Sequence, residues 1–205
     1  MKILLLAATQ MEVASFLQSQ PHIDIIIGGV GMVSTTFCLT RQLLHHRYDC
    51  VVQAGIGGLY ASHTSQLQLG EVVTVSRDCF ADLGAYEKGR LFSLQDLELN
   101  LSPEWLINTH PLLPAMPFKT VAATTVNMVT DDECLIKAIS QKWDPAVESM
   151  EGAAFHYVCM QKQVPFIQLR AISNQVGERN KSQWQIKAAI ENLQTALEVV
   201  IPLLK

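Results

Sequence analysis

Short unbroken apolar runs recur along the chain, among them Ile3-Leu4-Leu5-Leu6-Ala7, Ile25-Ile26-Ile27, Val51-Val52, Val72-Val73 and Phe166-Ile167. Runs of this length, bounded by glycine or polar residues, predict strands buried on both faces, over 2–7, 23–27, 50–54, 71–76, 119–126 and 166–173. Between them apolar positions fall three and four residues apart. That period predicts helices over 32–46, 131–142, 150–163 and 183–203, the last carrying Ile186, Ala189, Ile190, Leu193, Leu197 and Val200 on one stripe. Such alternation defines an α/β fold, expected here as one domain over 1–205. From 78 to 117 the rhythm breaks. Pro103, Pro111, Pro114 and Pro117 forbid a long regular element there, so this segment is expected to run as an excursion over the sheet. In open α/β sheets ligands sit beyond the carboxyl ends of strands, and the polar motifs of this chain fall at such ends.

Composition narrows the class of partner. The 205 residues are 49% apolar and 17% charged, enough for one substantial core. A formal charge of -4, with no run of Lys or Arg, gives no electrostatic footprint for nucleic acid. After Lys2 the apolar run ends by Ala8, too short for a signal segment and far too short to span a bilayer, so a cytoplasmic protein without membrane attachment is expected. Five scattered cysteines (Cys38, Cys50, Cys79, Cys134, Cys159) form no CxxC pair and are expected as buried free thiols. The six histidines show no metal-ligand spacing. Neither a metal nor a cofactor is expected.

Five motifs carry candidate chemistry, each with a structural alternative. Gly28-Gly29-Val30-Gly31-Met32-Val33-Ser34 nearly matches a dinucleotide fingerprint. The next strand, however, ends in Gln53-Ala54-Gly55 where that fingerprint needs an acid, and a tight turn with close helix packing explains the glycines as well. Gly55-Ile56-Gly57-Gly58 reads as another strand-end turn whose backbone N–H groups could face a ligand. Glu12, one turn past the first strand, fits either a helix-dipole partner or a general base. In Glu148-Ser149-Met150-Glu151-Gly152-Ala153-Ala154 a carboxylate opens a helix. It is either a cap or an acceptor able to clamp the two hydroxyls of a ribose. Leu169-Arg170-Ala171-Ile172-Ser173-Asn174 places Arg170 in an apolar strand, where it needs a carboxylate such as Glu12 or an ordered water near a sugar.

Together these segments resemble the purine nucleoside phosphorylase and nucleosidase superfamily over nearly the full length. The resemblance implies a phosphorylase-type three-layer sandwich, a mixed central sheet flanked by helices. It makes Glu12 the base that deprotonates water, puts Met150, Glu151 and Arg170 at the ribose, and sets Gly57, Val129, Ser173 and Asn174 against the purine. Methylthioadenosine nucleosidases of this superfamily carry aspartate where Asn174 stands. They also have one residue fewer near Glu148, and one more, a serine, in the turn at 55–58. The asparagine points to another base. Adenine presents N7 as acceptor and its 6-amino group as donor, whereas hypoxanthine presents two acceptors, N7 and O6, to which a carboxamide NH₂ can donate.

The run from Arg170 to Asn180 and the segment Thr125-Val126-Asn127-Met128-Val129, read as strand, are similar to the futalosine hydrolase family within this superfamily. That resemblance implies hydrolysis of futalosine to hypoxanthine on a route to menaquinone, by a homo-oligomer, with a nucleoside and water as the reaction partners. No arginine stands in the turn at 28–34, where phosphorylases of the superfamily keep one for phosphate, so water is the expected acceptor. Arg179 and Lys181 are candidates for the carboxylate beyond the 5′ carbon of futalosine. The alternatives are a methylthioadenosine, S-adenosylhomocysteine or aminofutalosine nucleosidase, a purine nucleoside phosphorylase, or a non-catalytic nucleoside-binding relative.

Overall fold

The computed structural model describes residues 1–19, 22–99, 103–177 and 180–205. In chain order the elements are β1 (Ile3–Ala7), α1 (Ala14–Ser19), β2 (Asp24–Ile27), α2 (Met32–His45), β3 (Cys50–Leu59), β4 (Val72–Asp78), β5 (Gly84–Glu87) and β6 (Arg90–Ser93). They continue with β7 (Leu106–Ile107), β8 (Lys119–Thr125), α3 (Glu133–Trp143), β9 (Val147–Ser149), α4 (Gly152–Gln161), β10 (Phe166–Gln175) and α5 (Ile186–Leu203).

The alternation of side chains along β1 shows why its apolar run is unbroken. Ile3, Leu5 and Ala7 join a core with Leu193, Leu197 and Val200 of α5, while Leu4 and Leu6 pack on the other face with Leu39 of α2 and Phe155 and Val158 of α4. Helices thus cover both faces of a mixed sheet, the expected three-layer arrangement. β2 departs from expectation. It pairs only with β1 at the sheet's end, and its four residues are half-buried or exposed.

Five strands close on themselves. β3 pairs with β10, β10 with β4, β4 with β8, β8 with β9, and β9 returns to β3. Leu59, Val73, Val75, Ala123, Val147 and Ile172, drawn from all five, form one buried cluster. Closure leaves this part of the sheet no open edge. β3 is the hinge of the design. Along one side it pairs with β10 from Val51 to Leu59; along the other it pairs with β1 up to Ala54 and with β9 only at Gly58 and Leu59. Between those two partners residues 55–57 have no neighbouring strand on that side. The functional cavity opens at this gap.

The glycine run at 55–58 is therefore strand, not the expected turn. β8 ends at Thr125, so 126–129 leave the sheet instead of extending it. The excursion at 78–117 holds only short elements, including the β5–β6 hairpin turned at Lys88 and Gly89, both at positive φ, and a short β7 against β4. Among the cysteines Cys50, Cys79 and Cys159 are buried as expected, but Cys38 is half-buried and Cys134 exposed. Among the described residues no helix is long and apolar enough to cross a membrane, and no group of three or more His, Cys, Asp or Glu is placed to hold a metal ion.

Candidate active site

A cavity of about 510 Å³ lies over the gap in β3, a volume suited to a nucleoside. Its walls include Glu12, Gly57, Glu148, Met150, Glu151, Ser173 and Asn174, with Val129 and Lys181 farther out. Arg170 is not part of the wall; it lies behind it, 1% exposed. Arg179 lies outside the described residues.

Glu12 is held by its own local motif. Thr9-Gln10-Met11-Glu12 is a capping box: one carboxylate oxygen, Oε2, accepts the Thr9 N–H at 2.8 Å and the Thr9 hydroxyl at 3.2 Å. The other, Oε1, accepts the N–H of Ile56 at 3.3 Å, a donor free because β3 has no partner strand there. Capping and catalytic readings therefore describe the same geometry. Burial raises the Glu12 pKa above the usual carboxylate value, opposed by the Thr9 N–H and the charge of Arg170. A buried carboxylate made more basic and fixed at two oxygens suits general-base work on a water.

Glu151 stands where β9 turns into α4. Its Oε1 accepts the Gly31 N–H at 3.1 Å and its Oε2 accepts Arg170 Nη1 at 3.3 Å. The first bond joins the glycine turn at 28–34 to the ribose motif, a role other than dinucleotide binding. The second corrects the expected pairing, since Arg170 bonds Glu151 and acts on Glu12 only through its field. Arg170 also donates to Ile56 O at 3.3 Å and, through Nη2, to Gln53 Oε1 at 3.0 Å. Register dictates this arrangement, because Arg170 is the β10 partner of Gly55. A Cβ on Gly55 would sit 2.2 Å from Arg170 Nη1, so glycine is required there by the guanidinium and not by a turn.

Beneath the Met150-Glu151 turn lies a buried polar cluster that sequence reading missed. Asp78 accepts the Thr125 hydroxyl at 2.9 Å and Gln168 Nε2 at 3.2 Å; Thr125 Oγ1 in turn accepts the Ala153 N–H at 2.8 Å, and Ser149 Oγ the Gly152 N–H at 3.2 Å. These bonds satisfy the first N–H groups of α4 and fix the direction in which Glu151 leaves the sheet. Full burial pushes the Asp78 carboxyl up to about 6. The small residue at 152 is explained here, since a Cβ would lie 2.1 Å from Asp78 Oδ2.

At the other end of the cavity Ser173 donates its hydroxyl to Asn174 Oδ1 at 2.8 Å. That bond orients the carboxamide with Nδ2 as the group left to face a ligand. One Nδ2 hydrogen goes to Gln175 O at 2.9 Å, so the carboxamide offers one free N–H where the sequence suggested two. Glu148 is also in this wall, and burial raises its carboxyl to about 7, countered by the Tyr60 hydroxyl that donates to Oε2 at 2.9 Å.

The cavity thus lies at a gap in a closed five-strand ring, with a capping-box glutamate on one side and an arginine-backed glutamate on the other, an arrangement suited to an enzyme acting on a small polar molecule. The phosphorylase superfamily matches this chain over residues 18–205. The futalosine hydrolase of Thermus thermophilus is 29% identical, with 95% of this chain and 92% of that protein covered. The futalosine hydrolase of Streptomyces coelicolor is 30% identical, covering 89% and 80%. Among solved structures, the futalosine hydrolase of Helicobacter pylori superposes with a TM-score of 0.80 at 16% identity, over 98% of this chain and 95% of that one. The chain belongs to the phosphorylase superfamily and, within it, to the futalosine hydrolase family.

Proposed function

We propose that this protein hydrolyses the N-glycosidic bond of futalosine, releasing hypoxanthine, as a nucleosidase domain spanning 1–205. The observation that carries the choice of base is the carboxamide of Asn174, whose oxygen is turned away by Ser173 and whose nitrogen remains to donate to N7 or O6. An aspartate in that position would set lone pairs against O6. Glu151, backed by Arg170, clamps the ribose diol, with Met150 against the sugar.

In the reaction the C1′–N9 bond lengthens and its electron pair stays with the purine. Asn174 stabilises the charge growing on the purine by one hydrogen bond, to N7 or O6, as preorganised donors do. Water attacks C1′ as Glu12 takes its proton, and the purine departs as an anion that takes up a proton from solvent water. Gly57 and Val129 line the purine end, and Lys181 meets the carboxylate carried beyond C5′. Water as acceptor agrees with the absence of arginine from the turn at 28–34. The same reading places the enzyme in the cytoplasm on a route to menaquinone. It takes the protein to be a homo-oligomer, a reading supported by Val33, Phe37 and Leu44, which are 81%, 62% and 63% exposed along α2.

The test is to incubate the protein with futalosine, inosine and methylthioadenosine, each with and without phosphate, and to separate the free bases. Hypoxanthine from futalosine without phosphate is expected. Adenine released preferentially would overturn the assignment of the base, and dependence on phosphate would overturn hydrolysis. In Asn174→Asp the preference for 6-oxopurines over 6-aminopurines should fall by about 100-fold or more, since discrimination by buried polar groups reaches on the order of 10⁴.

A further inference from the structure

α5 carries one polar residue in its buried stripe. Gln194 lies there among Leu193, Ala196 and Leu197, and a carboxamide withdrawn from water is costly unless its hydrogen bonds are made. Both of its ends are engaged, and both reach backbone groups around Glu12: Oε1 accepts the Ser15 N–H at 3.1 Å, and Nε2 donates to Met11 O at 3.2 Å. These bonds tie the last helix of the chain to the first helical turn after β1.

The winding of that turn fits the bridge. Met11 O and Ser15 N–H stand four residues apart, the pair that one rung of an α-helical ladder would join. The Gln194 carboxamide spans them, and a side chain set into the ladder alters the helix around it. Gln10–Val13 is accordingly a 3₁₀ turn, and α-helix begins only at Ala14. Successive residues advance about 120° around a 3₁₀ helix and about 100° around an α-helix, so the winding decides where the Glu12 side chain points. Glu12 is thereby held from two sides, its carboxylate by Thr9 and the Ile56 N–H of β3, its backbone by Gln194. Ile186, Ile190 and Gln194 follow one another at four-residue steps on α5, and the first two line the cavity. One helix row therefore walls the cavity and anchors the turn that carries Glu12.

Resting on the reading of Glu12 as general base, we propose that Gln194 is a positioning residue: it holds the 3₁₀ turn between Met11 and Ser15 and so keeps the Glu12 carboxylate aimed at the attacking water. Without the carboxamide the rung can close, the turn winds toward α geometry, and the base leaves its aim while the fold stays intact.

Kinetics on futalosine, with each variant melted to verify folding, test this in a double-mutant cycle with Glu12→Gln. Gln194→Met, close in size and suited to an apolar stripe, should lower kcat about 10- to 100-fold with KM changed by less than about 3-fold, the scale on which a misplaced catalytic group is felt. In the Glu12→Gln background the same substitution should lower kcat by less than about 2-fold, because no base remains to be aimed. A loss of equal size in both backgrounds would show that Gln194 only supports the fold, and an unchanged kcat in Gln194→Met would show that Glu12 keeps its aim without it; either overturns the proposal. Gln194→Glu, equal in length, goes through the same cycle with the same outcomes, so a methionine variant that does not fold leaves the test standing. Full turnover by Glu12→Gln would overturn the reading of Glu12 itself, and wild type inert on futalosine would overturn the proposed function; the proposal falls with either.

Discussion

The two walls of the cavity are built differently. The inner wall is made of strand ends, and its polar groups are engaged before any ligand arrives: Glu12 accepts three hydrogen bonds, Glu151 two, and Asn174 is held by Ser173. The outer wall is Met11, Val30, Val129, Val176, Trp184, Ile186 and Ile190, mostly apolar and drawn from loops and the start of α5, with Lys181 among them. Preorganised polar groups belong where bonds break and charge develops, because there they stabilise the transition state without reorganising. An apolar loop wall suits the end of a substrate where shape varies. On the proposed reading, reaction and base are set by groups held from the sheet, and the 5′ group is left to loops.

The largest effect that would sharpen this contrast is at Glu12. Glu12→Gln keeps the size and most of the capping bonds but cannot take a proton, so kcat should fall about 10²- to 10⁴-fold with substrate affinity little changed. The acidic limb of the wild-type rate profile should lie above the usual carboxylate range, because burial raises the Glu12 pKa and the base is lost as pH falls through it. Full turnover by Glu12→Gln would remove Glu12 from the chemistry.

Arg170→Met comes next. It leaves Glu151 buried beside Glu12 without its counter-charge, and breaking a buried pair by removing one partner costs about 3–5 kcal/mol. Thermal melting should drop by about 10 °C for a chain of this size, together with weaker binding of ribosides. A variant of unchanged stability would show that the strand-built wall does not depend on this guanidinium.

How much of this was legible in the sequence follows the range of the forces involved. β1 and the helical stripe of α5 are local patterns and were read correctly. The structural alternative for Glu12, a carboxylate serving the first helical turn, is local too, since Thr9-Gln10-Met11-Glu12 forms a capping box. The run at 55–58 was misread as a turn because its glycines answer a non-local demand, the Arg170 guanidinium brought alongside Gly55 by β10. For the same reason the partner of Arg170 was misassigned: choosing between Glu12 and Glu151 needs the register. Asp78, Thr125 and Gln168 meet from three strands and leave no spacing signal. The β5–β6 hairpin was the avoidable miss, since Lys88-Gly89 supplies the two positive-φ residues that a tight hairpin turn requires.

A smaller effect separates the two ends of the inner wall by pH. The folded state holds a proton on Glu148 up to about 7, above the ordinary 4.5, because desolvation outweighs the Tyr60 hydrogen bond, and the charge of Asp82 pushes the same way. The unfolded chain releases that proton earlier. Stability linked to Glu148 is therefore full below about 4.5 and is lost as pH rises toward and through 7. Glu148→Gln, neutral at every pH, should melt higher than wild type at pH 8, by roughly 1–3 kcal/mol, and about equally at pH 4. Equal melting at both pH values would mean that the carboxylate is solvated in the empty cavity.

The smallest expected effect belongs to the outer wall. Lys181 is exposed, and a single solvated ion pair contributes about 0.2–1 kcal/mol. Lys181→Ala should therefore raise KM a few-fold for a nucleoside bearing a carboxylate beyond C5′, leave kcat nearly unchanged, and leave inosine unaffected in both parameters. The higher KM should also fade as salt is added, because the wild-type contact is screened. If Lys181→Ala instead lowered kcat on inosine, the loop wall would be part of the catalytic structure, and the division between a strand-built wall that does chemistry and a loop-built wall that sorts substrates would fail.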